Sequence, residues 1–154
     1  MFDAIDRKII NLLQENADLP IAQIAQAVGL SQTPCWRRIK RLEEEKVIVR
    51  RVALIDRRKA NVPLTVFVGV RAPRHAAEWL GQFKDVIRQI PEITEAYRLA
   101  GETDYLLKIV IPGIENYDAV YNRLIRNIEF FDITASIVME EMKHTTSIPT
   151  NYMA

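Results

Sequence analysis

Between residues 32 and 41 the chain reads Gln-Thr-Pro-Cys-Trp-Arg-Arg-Ile-Lys-Arg. At helical spacing, Gln32, Thr33, Trp36, Arg37 and Lys40 cluster on the side away from Cys35 and Ile39, with Arg38 and Arg41 flanking that face. Residues at the start of such a helix reach base edges in a major groove, and basic residues further along bind phosphate. This is the chemistry of DNA recognition. A charge run alone would favour a solvated helix surface, so the neighbouring elements decide between the two. Elsewhere the sequence offers no catalytic constellation. His75 and His144 are isolated, Ser31, Ser136 and Ser147 lack a local His or acid partner, and neither a Walker loop nor G-x-G-x-x-G is present. No Cys/His/carboxylate spacing suits a metal, and no cofactor is implied.

Three short helices must position the basic face. The first runs from Ile5 to about Asn16, with Ile5, Ile9, Leu12 and Leu13 on one side, Asp3 as N-cap and Asp6 adding charge to the first turn. The second spans Pro20 or Ile21 to Val28 and stops at Gly29. The third spans about Thr33 to Glu45, capped by Ser31, with Cys35, Ile39 and Leu42 inward. Ala25 is small enough for close packing, Gly29 suits the left-handed turn, and Cys35 anchors the next helix. Together they spell a helix-turn-helix, and with it the basic face reads as a DNA surface. Trp36 suits a contact to the DNA backbone or ordinary amphipathic packing. Cys35 reads as a small core residue.

Charge divides along the chain. Residues 1–60 hold twelve Lys/Arg against eight Asp/Glu, a balance of +4, whereas residues 61–154 hold nine against twelve, a balance of −3. A polyanion partner belongs to the front half, which the overall charge of +1 conceals. With 49% hydrophobic residues the chain folds around a real core. No apolar run is long enough to span a bilayer. The charged start lacks a signal-peptide core, and a single Cys suits a reducing compartment. A cytoplasmic protein is expected. Residues 47–55 are β-rich and, with Arg50, Arg51, Arg57, Arg58 and Lys59 nearby, read as a strand and linker. Those charges either extend a phosphate footprint or keep an edge strand soluble.

The back half changes period. Leu64–Arg71 alternates as a strand, and Glu78–Ile90 carries Leu80, Phe83, Ile87 and Ile90 at helical spacing before Pro91. Trp79 suits either an oligomer contact or ordinary packing. Ile93–Leu99 and Asp104–Ile111 are strands joined by the Gly101-Glu102-Thr103 turn. A helix follows from Tyr117 to Ile128, and a last strand from Ile133 to Met142. The order β-α-β-β-α-β is the ferredoxin-like arrangement, with helices on one face of an antiparallel sheet. The fold class is therefore α+β. Residues 1–46 form a helix-turn-helix domain, 47–62 a β-strand linker, 63–143 a ferredoxin-like domain and 144–154 a C-terminal tail. The uncovered sheet face calls for a second copy, hence at least a dimer.

The whole chain resembles the Lrp/AsnC family of transcription regulators. The resemblance rests on Ile5-Asp6-Arg7-Lys8-Ile9, on Ile24-Ala25 and Val28-Gly29-Leu30-Ser31 through Arg37-Arg38-Ile39-Lys40-Arg41-Leu42-Glu43, and on Ala100 to Leu107 with its Gly-x-x-Asp-Tyr loop. Thr33-Pro34-Cys35-Trp36, Glu78-Trp79 and Thr145 to Pro149 are similar to a subgroup that includes regulators of cysteine detoxification and glutamate uptake. Lys46 departs from the family, which usually closes the third helix with Gly; a Lys in a left-handed turn costs on the order of 1 kcal/mol. Ser or Thr is also commoner than Pro20 before the second helix.

The resemblance implies a regulator whose back domain dimerises, builds dimers into tetramers or octamers and binds a small amino acid between them. Ala100, Gly101, Glu102, Thr103, Asp104 and Tyr105 would form the effector loop. Its backbone N–H groups suit a carboxylate and Asp104 an ammonium group. Thr134 and Ser136 would add hydroxyls from a neighbouring subunit. The plain alternative is that Gly101 only makes a tight turn and Asp104 only caps it. Two rival functions are a constitutive DNA-bending protein without effector and an enzyme similar to siroheme decarboxylases. The second needs a His near the bound tetrapyrrole, and Thr103 to Leu107 has none nearby.

Overall fold

The computed structural model describes residues 1–73 and 76–154, so His75 lies outside the described residues. The chain divides into two compact units, one made of Met1–Leu54 with Lys143–Ala154, the other of Ile55–Met142.

The first unit holds α1 (Ala4–Glu15), α2 (Ile21–Val28) and α3 (Gln32–Glu44). Asp3 caps α1: its carboxylate accepts from the Asp6 N–H, and the Asp6 carboxylate accepts from the Asp3 N–H. Gly29 ends α2 at φ 72°, a conformation that L side chains resist, and its N–H returns to the Ala25 and Gln26 carbonyls. Ile9, Ile24, Ala25, Cys35, Ile39 and Leu42 close the core between the helices. Burial pushes the Cys35 thiol up from its ordinary pKa. Lys46 adopts φ 59° after α3, and the Ile48 N–H bonds the Leu42 carbonyl. The helix thus keeps the left-handed stop and carries its strain on a Lys.

Two expectations change here. Residues 47–55 form no strand, since among the described residues of a single chain no other strand pairs with them. The C-terminal residues are more than a tail, because they strap α1. Gln14 exchanges two hydrogen bonds with the Ile148 backbone, Arg7 donates to the Met153 carbonyl at 2.8 Å, and the Phe2 N–H donates to the Ala154 carbonyl.

The second unit holds β1 (Leu64–Arg71), α4 (Ala76–Gln89), β2 (Ile93–Arg98), β3 (Tyr105–Ile111), α5 (Tyr117–Ile125) and β4 (Asp132–Ile137). The sheet order β2-β3-β1-β4, antiparallel throughout, is the ferredoxin-like topology. Val66, Val68, Val70, Leu107, Ile109 and Ile111 face the helices and are buried against Phe83, Val120 and Leu124. Trp79 belongs to this core: it stacks on Phe83 at 4.8 Å and donates its indole N–H to the Glu129 carbonyl. Strand β4 is shorter than the apolar pattern suggests, ending at Ile137 opposite Val66.

Candidate functional site

Helix α3 presents the basic face intact. Gln32, Thr33, Trp36, Arg37 and Lys40 are exposed, while Cys35, Ile39 and Leu42 are buried on the other side. Trp36 keeps 47% of its surface open, although large aromatics ordinarily bury. Ser31 caps the helix by position and not through its hydroxyl, so the first-turn N–H groups stay available. Lys40 donates to Glu43 at 3.0 Å and holds that carboxyl below its ordinary pKa.

Arg38 and Arg41 behave differently. Arg38 Nη1 reaches Asp3 at 2.7 Å and Asp6 at 2.8 Å, and Arg41 Nη2 reaches Asp6 at 2.6 Å. Hydrogen bonds to Asp6 and then Asp3 raise the Arg38 pKa further above its ordinary value. Among the linker charges, Arg51 is tied to the Ala17 carbonyl and Glu43, and Arg57 to Thr65 and Glu141. Arg50, Arg58 and Lys59 are exposed.

On the second unit, the side of the sheet opposite α4 and α5 carries Thr65, Phe67 and Gly69 of β1, with Thr134 and Ser136 of β4. Gly69 lies opposite Thr134. A β-carbon on Gly69 would sit 2.8 Å from Thr134 Oγ1 and 3.3 Å from Thr103 Cγ2. The missing side chain therefore brings two threonines together beside the Gly101 turn. Thr103 and Thr134 of the same chain both lie within 4 Å of that point. Gly69 was not legible as part of this niche, because strand alternation gives the face of a residue but not its cross-strand partner. Gly101 itself sits at φ 150°, with Ala100 and Glu102 exposed beside it.

Asp104 staples this corner. Its carboxylate accepts from the Ala72 N–H at 2.8 Å, its own N–H donates to the Val70 carbonyl, and its carbonyl accepts from the Leu99 N–H. Its side chain thus ties down the chain after β1 and not the Gly101 turn itself, and it stands next to Thr103 while doing so. Tyr105 turns its side chain the other way. It pairs with Val70 on the helix side, and its ring packs against Trp79 at 5.6 Å and Phe83 at 5.0 Å. Alternation sends its side chain away from Thr134. Ser136 lies opposite Phe67, two residues along from Thr134.

Residues 2–43 match the AsnC-type helix-turn-helix domain, and residues 65–148 match the Lrp/AsnC ligand binding domain. The chain belongs to the Lrp/AsnC family. Among curated relatives, the HTH-type transcriptional regulator Zrp of Zymomonas mobilis is 44% identical, over 99% of this chain and 100% of that protein. The DNA-binding transcriptional activator DecR of Escherichia coli is 41% identical (97% and 99%), and the Glutamate uptake regulatory protein of Zymomonas mobilis 42% (96% and 90%). Among solved structures, an AsnC family transcriptional regulator from Agrobacterium tumefaciens superposes with a TM-score of 0.96 at 49% identity, covering 99% of this chain and 100% of that one. The regulator NMB0573 of Neisseria meningitidis, solved as its L-Met complex, gives 0.94 at 34% identity and covers all of both chains. As an Lrp/AsnC member the chain is a DNA-binding transcription regulator and not an enzyme. Among the described residues of this Lrp/AsnC chain, no helix is long and apolar enough to cross a membrane, and no cluster of His, Cys, Asp or Glu is placed to hold a metal.

Proposed function

We propose that this Lrp/AsnC chain recognises its operator through Gln32, Thr33, Trp36, Arg37 and Lys40 and adjusts that binding to a free amino acid held at the Gly69–Thr103–Thr134 niche. The carrying observation is that niche. Two hydroxyls converge over a glycine, next to a turn with exposed backbone and one carboxylate. An α-amino acid carries an ammonium and a carboxylate a few ångströms apart, so its site needs donors beside a fixed negative charge. The Ala100–Glu102 turn supplies the first and Asp104 the second. The niche is open to solvent in one chain, and a second copy would close it, which couples ligand binding to assembly. The exposed sheet face favours at least a dimer, and two-fold symmetry then favours inverted-repeat operators. The amino-acid class follows the L-Met complex of the Neisseria relative; the side chain accepted here is open to a screen. The reading places the protein in the cytoplasm with DNA.

The test is fluorescence anisotropy on operator fragments obtained by in vitro selection, run with and without each of the common amino acids. At least one amino acid should change the affinity or the assembly state. DNA binding indifferent to the whole panel would leave a constitutive DNA-bending protein as the better description.

A further inference from the structure

Asp6 is the one buried charged side chain among the described residues, only 1% exposed. Its place in the first turn of α1 explains a negative charge but not burial, since an exposed carboxylate would serve the cap as well. Burying a carboxylate is unfavourable unless it is paired, and well-packed apolar groups often match the stability of such a cluster. Asp6 is fully paired. Oδ1 accepts from Arg38, and Oδ2 accepts from Arg41 and from the Asp3 N–H. Both arginines come from α3, three residues apart, on the stripe next to Arg37 and Lys40.

We propose that Asp6 is a positioning residue for DNA recognition: it withdraws Arg38 and Arg41 from phosphate, leaving Arg37 and Lys40 as the cations that α3 offers to DNA. Each guanidinium has a long reach and five N–H donors. Released at the margin of the face, both would bind phosphate whatever the sequence, because phosphate contacts carry no base information. Asp6 thus holds down non-specific affinity while fixing α3 against α1. The inference rests on the reading of α3 as the DNA-contacting helix.

Salt dependence separates this role from a merely structural one. On an unrelated duplex, Asp6→Asn should steepen the slope of log K against log salt by about 1, given about 0.9 per phosphate contact, because it frees Arg41 while Asp3 still holds Arg38. The ratio of operator to unrelated affinity should fall several-fold, and Asp6→Glu should restore part of it. Arg38→Gln and Arg41→Gln, with Asp6 in place, should leave the slope unchanged; they carry the test alone if Asp6→Asn fails to fold by circular dichroism. A slope flattened by about 0.9 in either arginine variant would overturn the proposal. So would a folded Asp6→Asn protein whose two affinities fall in parallel, or whose slope and ratio stay unchanged. Arg37→Ala separates the premise: unchanged binding there removes α3 as the reading element, whereas weakened binding alongside a failed Asp6 test overturns the Asp6 role alone.

Discussion

The two candidate sites are built in opposite ways. The DNA face lies on one helix, α3, whose own hydrogen bonds fix every side chain relative to the next. The effector niche takes one residue from β1, one from β4, one from the turn before β3, and a carboxylate that also caps the chain at Ala72. A site on one element tolerates changes to its contact residues without losing its frame. A site assembled across strands shares its residues with the fold, so ligand binding and stability should change together.

The largest separation should come from Arg37→Ala. Loss of one base or phosphate contact costs about 1 to 3 kcal/mol of DNA affinity. Arg37 is exposed and no partner among the described residues depends on it, so the thermal midpoint should not move. Anisotropy paired with a melting curve reads both. Lys40→Ala should do less, because Glu43 already neutralises part of its charge.

Gly69→Ala tests the other side. Its methyl group meets Thr134 Oγ1 at 2.8 Å, so the variant should lose amino-acid binding by calorimetry. It should also lose about 1 to 3 kcal/mol of stability from overpacking, while keeping basal DNA affinity. Ligand binding with wild-type affinity would remove the niche from the site.

Sequence spacing foretold the first site better than the second for the same physical reason. Helical periodicity is local, and Gln32, Thr33, Trp36 and Arg37 could be placed on one face from their numbering alone. Asp6 was legible as a first-turn charge but not as the partner of Arg38 and Arg41, more than thirty residues away. The inward turn of the Tyr105 ring was not legible from its place in the loop, because adjacency along a strand means opposite faces. The strand expected within residues 47–55 has suitable β propensity, yet propensity forms no ladder without a neighbour. The left-handed stop at Lys46 was not legible from residue type, since the turn geometry is kept while the usual glycine is not.

Lys46 gives a smaller prediction within the first unit. Lys46→Gly should raise stability by about 1 kcal/mol by relieving the positive φ, with DNA affinity unchanged. Denaturant unfolding of both proteins is the check. The smallest expected effect concerns pH. The Asp6 N–H and then Arg38 hold the Asp3 carboxyl below its ordinary pKa. Its contribution to stability is therefore present above the unfolded carboxylate value and is lost as pH falls through the lower folded value. Asp3→Ala should destabilise at pH 7 and approach wild type at strongly acidic pH; a difference independent of pH would point to packing instead of charge.

The central claim, that one chain couples an amino acid to DNA, is tested most directly by reciprocal linkage. The factor by which the amino acid changes operator affinity must equal the factor by which operator changes amino-acid affinity. Both are measured on wild type and on Asp104→Asn, which keeps an acceptor for the Ala72 N–H but loses the charge. The account predicts equal, non-unit factors for wild type, and in Asp104→Asn weakened amino-acid binding with operator affinity intact. Factors of one for every amino acid, or wild-type amino-acid binding by Asp104→Asn, would contradict it.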